Sequence, residues 1–264
     1  MFVIYLLMGG SPTEQAPQQQ PQATSSTSQA NDLAEKCRTG KDANTDVECR
    51  IVGARQSVQA FWTKKLPEAS GGRAEWQDTK MVLYNQPQRS ACGTASNEVG
   101  PFYCPLDKTV YMDDDFFQVL EKQFGSSSGP LAQQYVVAHE YGHALQDQLG
   151  LLGRAQQDPK GPESGGVKIE LMADCLAGMW ARGAVETKDQ NGRAFLKPFT
   201  EKDLRDALSA AEAVGDDRIQ QTAQGRVSPE NFTHGTSEQR QRWFMTGYET
   251  DDINTCDTFR ASRL

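Results

Sequence analysis

Histidine is scarce in this chain, with three among 264 residues. No Cys-x-x-Cys pair occurs, which argues against a thiolate zinc knuckle and a dithiol redox motif. No run of Lys or Arg stands out, and 27 basic against 35 acidic residues leave a net charge of −8. That balance speaks against a nucleic-acid surface. Internal repeats, a phosphate-binding loop and a serine-nucleophile motif are all missing. The apolar run over residues 2–8 is far short of the roughly 20 residues that a bilayer span requires. It has no basic segment before it and no clear signal-peptidase site after it.

The length suits one domain plus appendages. Residues 1–10 read as an apolar stub, the tail of a membrane anchor whose beginning lies upstream, the alternative being an N-terminus without a role. Residues 11–30 are Pro, Gln, Ser, Thr and Ala with almost no charge, which predicts a disordered, flexible linker. The folded domain is expected over residues 31–264. Its six cysteines, Cys37, Cys49, Cys92, Cys104, Cys175 and Cys256, suggest disulfides and an oxidising, extracytoplasmic compartment. The preferred pairing is Cys37–Cys49, Cys92–Cys104 and Cys175–Cys256, although about 15 connectivities are open and six reduced core thiols are the alternative.

Two of the three histidines fall in His139-Glu140-Tyr141-Gly142-His143. The surrounding Leu131–Leu149 reads as a helix, with Pro130 at its start and Gly150 just past its end. Residues four apart share a helical face, so both imidazoles can reach one ion, with Glu140 beside them to act on a water. This is the H-E-x-x-H arrangement of zinc-dependent peptidases. A third protein ligand is needed, and Glu170 is the candidate. It lies in a helix expected over Val167–Arg182, where Asp174, one turn on, can accept a hydrogen bond from a ligand imidazole.

His234 precedes a helix for which Thr236 and Gln239 form a capping box. It is either a donor to the oxyanion of a tetrahedral intermediate, a substrate-positioning group, or a loop histidine bound to backbone. Arg240 is placed to pair with Asp174 or to contact substrate, a plain structural salt bridge being the alternative. Val52–Leu66 is expected to be a helix stopped by Pro67. Met81–Tyr84 and Thr109–Met112 read as strands, the second in a hairpin with Phe102–Cys104. Asp113-Asp114-Asp115 lacks the spacing of a calcium loop and reads as the acidic start of a helix over Phe116–Phe124. The polar stretch from Arg154 to Gly166 is expected to be mobile or to border a cleft.

Ala91-Cys92-Gly93-Thr94, Gly100-Pro101-Phe102-Tyr103-Cys104-Pro105, the H-E-x-G-H helix, Glu170-Leu-x-Ala-Asp-Cys and Thr233-His234-Gly235-Thr236-Ser237 together resemble the bacterial neutral zinc metallopeptidase family. The resemblance covers roughly residues 50–260. It implies a gluzincin-type site, with one Zn2+ on His139, His143 and Glu170 and with Glu140 as general base. The Glu-x-x-Ala-Asp element and the later Thr-His and Arg are also similar to CAAX-processing and related membrane endopeptidases, which supports roles for Asp174, His234 and Arg240. The expected fold class is α+β: a mostly helical, zincin-like domain with a small β-hairpin beside the active helix. A peptide or protein is the expected substrate, at the bacterial cell envelope. The rival reading is a zinc-bearing envelope binding protein that is catalytically silent.

Overall fold

The computed structural model describes residues 32–264, so the apolar stub and the linker lie outside the described residues. The first long element is α2 (Val47–Ser70), preceded by the short α1 (Gly40–Thr45). Asp46 caps α2 by accepting the amide of Cys49. The helix does not stop at Pro67 but carries the proline in its last turn, before the left-handed Gly71. The carbonyl that loses its donor belongs to Thr63, whose exposure lets water replace it. Position within the helix, rather than the proline itself, decides the outcome.

Five strands follow: β1 (Lys80–Tyr84), β2 (Gln88–Ser90), β3 (Gly93–Ala95), β4 (Phe102–Cys104) and β5 (Thr109–Asp113). β4 and β5 form the expected hairpin, with Tyr103 opposite Val110. β1 joins the other side of β5 in parallel, so the sheet order is β1-β5-β4. β2 and β3 make a separate small hairpin, which the sequence reading missed. Tyr84 donates its hydroxyl to the carbonyl of Gly100 at 2.8 Å and so holds the loop that leads into β4. Tyr103 in turn reaches from β4 to Asp147 at 2.7 Å.

The helices after the sheet are α3 (Phe116–Phe124), α4 (Pro130–Gln148), α5 (Gly153–Gln157), α6 (Gly165–Ala184), α7 (Glu201–Ala213), α8 (Asp216–Gln224) and α9 (Ser237–Glu249). The class is α+β and mostly helical, as expected. The 154–166 connection holds α5 and is pinned where Gly161 donates to the carbonyl of Phe232 at 2.9 Å. α4 and α6 cross closely because Gly142 has no side chain. A Cβ there would stand 3.1 Å from the Ala173 backbone. The α6–α9 crossing is tighter still, since a Cβ on Gly247 would fall 1.8 Å from the carbonyl oxygen of Cys175. A Cβ on Gly178 would fall 1.9 Å from that of Phe244. Any larger residue at either glycine forces these helices apart.

Cys37–Cys49, Cys92–Cys104 and Cys175–Cys256 are all bonded, the pairing preferred from the sequence. Among the described residues no helix is long and apolar enough to cross a membrane.

Candidate metal centre

α4 and α6 present their chemistry to each other across the Gly142 crossing. His139, Glu140 and His143 are all buried on α4, as are Glu170 and Asp174 on α6. The two imidazole rings stand nearly perpendicular, with centroids 4.8 Å apart. His139 Nε2 lies 3.2 Å from Glu170 Oε2, and His143 Nε2 lies 3.3 Å from Glu170 Oε1. Ligand atoms of these three residues lie within 4.8 Å of one another.

The tautomers follow from what the far sides of the rings touch. Asp174 Oδ1 accepts from His139 Nδ1 at 2.8 Å, leaving Nε2 to face Glu170. Gln146 Nε2 donates to the carbonyl of Ile169 at 2.7 Å, which turns its Oε1 to accept from His143 Nδ1 at 2.8 Å. Both Nε2 lone pairs therefore point at a carboxylate, an arrangement that is repulsive unless something positive lies between. Glu170 Oε1, buried, has no hydrogen-bond donor despite the nearby imidazole. Without a metal, a proton takes that place on His139. Burial opposes its charge, but Asp174 and Glu170 outweigh burial and raise its pKa to about 9. Burial also works against ionisation of Glu170, yet His143, His234 and His139 hold its carboxyl well below the usual range. Two neutral imidazoles and one carboxylate suit zinc, with room for a further ligand.

Asp174 is itself fully enclosed. It receives the Tyr135 hydroxyl at 2.5 Å, Arg240 Nε at 2.8 Å and Arg240 Nη2 at 2.9 Å. Of the two partners the sequence offered for Arg240, it takes Asp174. Thr236 and Gln239 form the expected capping box on α9, which delivers that arginine.

His234 sits in the loop before α9, and its Nδ1 lies 3.1 Å from Asp216 Oδ1. The other oxygen of Asp216 gathers the backbone amides of Thr233, His234 and Gly235, at 2.6, 2.6 and 3.1 Å. Burial disfavours a charged His234, but Asp216 and Glu170 outweigh it and raise the pKa above the ordinary value. His234 Nε2 is buried and without a hydrogen-bond partner. The sequence reading did not identify Asp216 or Gln146. Gln146 had a readable signal, one helical turn after His143, whereas Asp216 looked like an ordinary acidic residue in the first turn of α8.

Glu140 faces an apolar cavity of about 50 Å³. Phe116, Leu120, Phe124, Val136, Val214 and Ile219 line it, and His139 and Arg240 form part of its polar side. Burial pushes the Glu140 carboxyl up from its usual range, against the pull of His143 and His139.

Residues 1–259 match the model of a family described as "Putative neutral zinc metallopeptidase". The chain is similar to the uncharacterized protein Rv2575 of Mycobacterium tuberculosis, at 54% identity over 230 residues, covering 87% of this chain and 76% of that protein. A Mycobacterium bovis protein, also uncharacterized, matches to the same extent. The uncharacterized protein YpfJ of Escherichia coli K12 is 42% identical over 197 residues, 71% of this chain and 63% of YpfJ. No solved structure matches the chain.

Proposed function

The chain belongs to the neutral zinc metallopeptidase family, and we propose on that premise that it hydrolyses peptide bonds with a single zinc ion held by His139, His143 and Glu170. The observation that carries this reading is the pair of imidazole lone pairs fixed towards Glu170, with a buried carboxyl, Glu140, alongside. When bound, zinc supplies Lewis acidity, bringing a water's pKa towards ~7 and polarising the scissile carbonyl. Glu140, its pKa raised by burial, takes a proton from the attacking water and passes it to the leaving amine. His234, whose protonated form Asp216 favours, offers its free Nε2–H to the oxyanion that develops on the carbonyl. The apolar cavity beside Glu140 takes an apolar side chain next to the scissile bond. β4, at one edge of the sheet, offers backbone to align an extended peptide. Three disulfides suit an oxidising compartment, which supports a site of action outside the cytoplasm. Anchorage through residues 1–10 belongs to the same proposal and concerns a segment outside the described residues.

The test compares wild type with Glu140→Gln for zinc content and for cleavage of a broad quenched-peptide library. One zinc per chain in both is expected, with hydrolysis lower by about 10²–10⁴-fold in the variant. Undiminished cleavage by the variant would remove Glu140 as base. Zinc in both with no cleavage by either would favour the silent binding protein.

A further inference from the structure

The corner where β5 turns into α3 gathers a second set of carboxylates. Asp113 is fully buried at 0% exposure. Its Oδ1 accepts the amide of Asp115 at 3.0 Å, and its Oδ2 has no donor. Asp114 Oδ1 is buried and likewise without a donor. Asp115 is the N-cap of α3 but makes no capping hydrogen bond through its side chain, so the expected helix start is present and it is Asp113 that meets its first amides. One carboxylate oxygen from each of the three lies within 4.8 Å of the others. A fourth carboxylate arrives from a different element: Glu48, in the first turn of α2, lies beside Asp114.

Within this group, among the described residues, only Glu48 has a basic partner. Lys36 reaches Glu48 and Asp46 from the surface, at 2.5 and 2.8 Å. Among the described residues no Lys or Arg forms an ion pair with Asp113, Asp114 or Asp115. A buried carboxylate oxygen without a donor or a counter-charge is costly, and neighbouring like charges add to the cost. All the donor atoms are carboxylate oxygens, the set that a hard cation prefers over zinc.

We propose that this corner is a calcium site, with Asp113, Asp114 and Asp115 as ligands and Glu48 closing it from α2. It lacks the repeating ligand spacing of a calcium loop because its ligands come from a strand end and a separate helix. Bound there, calcium ties the start of α2 to the corner from which α3 departs. Phe116, the first residue of α3, lines the apolar cavity beside Glu140, so the cation steadies one wall of that cavity.

The experiment uses the full chain, stripped with chelator and reloaded with one equivalent of zinc so that the histidine site is filled. Calcium chloride is then titrated by calorimetry and by thermal unfolding, with magnesium chloride as the comparison. One calcium per chain is expected, with Tm rising by roughly 5–10 °C at a hundredfold excess over Kd. Magnesium should give a smaller rise, and an equal or larger one would overturn the assignment to calcium. Asp113→Asn and Asp114→Asn should each lose the calcium response while melting no lower than wild type in chelator, because each removes a repelled charge. Asp114, only half-buried, keeps the test decisive if the substitution at Asp113 disturbs folding. Absence of calcium binding in wild type, or an unchanged response in Asp114→Asn, would overturn the proposal.

Discussion

Two of the places where the protein buries carboxylates treat them in opposite ways. On the helical platform, Asp174 receives hydrogen bonds from Tyr135, His139 and both Nε and Nη2 of Arg240. At the strand corner, Asp113 receives only backbone amides, from Asp115 and Phe116, and has an orphaned oxygen. The platform draws its donors from α4 and α9, elements far apart in the chain, and so answers a buried charge internally. The corner's ligands are contiguous residues plus Glu48, all of one sign. A buried negative charge matched by the chain is part of a scaffold; one left unmatched must take up a proton or draw a cation from outside.

Arg240→Met should break the contrast most severely, because it leaves Asp174 buried with an uncompensated charge. We expect a loss of about 3–5 kcal/mol in stability by urea unfolding, and a midpoint equal to wild type would show that the platform does not depend on this pair. Asp174→Asn should weaken zinc binding by about 10- to 100-fold in competition with a chromophoric chelator. Gln146→Leu, which strips the acceptor from His143 Nδ1, should lie near the lower end of that range. Unaltered affinity in both would mean that the ring orientations are set by packing alone.

A pH profile sharpens the comparison further. His234 is active as the cation in the proposed mechanism, and its pKa is raised by Asp216 and Glu170 against burial. Activity should therefore fall as pH rises through that pKa. Asp216→Asn removes much of the support, so the alkaline limb of kcat should move to lower pH, and an unmoved limb would rule out His234 as the titrating donor. The smallest effect belongs to the corner. Burial, with Asp115, Glu48 and Asp113 adding to it, raises the Asp114 pKa from 3.8 to about 6. A raised carboxyl costs stability only where it must ionise. In chelator, Asp114→Asn should thus gain about 0.5–1 kcal/mol above pH 6, a gain that fades as pH falls towards 4. A loss of stability at pH 7 would mean that the corner needs its charge even without a cation.

The sequence disclosed the parts of the site that repeat at helical spacing. His139 and His143, and then Glu170 and Asp174, each stand four apart, and one helix pair brings them together. Arg240 was legible because a capping box fixed where its helix starts. Asp216 was not, since its role depends on a loop 18 residues away folding back over it. The parallel pairing of β1 with β5 was equally hidden, because a hairpin and a loop intervene and the apolar pattern of short strands does not name a partner. Gly178 and Gly247 carry no sequence signal of their own; only the crossing reveals that neither tolerates a Cβ. Pro67 misled because a proline ends a helix only where its missing donor cannot be replaced.

The tight crossing of α6 with α9 has a consequence for how the molecule is made. A chain synthesised or exported amino end first brings out His139, His143 and Glu170 well before Arg240. Until α9 docks, Asp174 has no guanidinium, and His139 lacks the anchored carboxylate that fixes its tautomer. The last section of the chain thus completes the site, and the Cys175–Cys256 bond secures it by tying α6 to the segment beyond α9. A chain built in this order keeps its candidate metal centre unfinished until its last helix has docked.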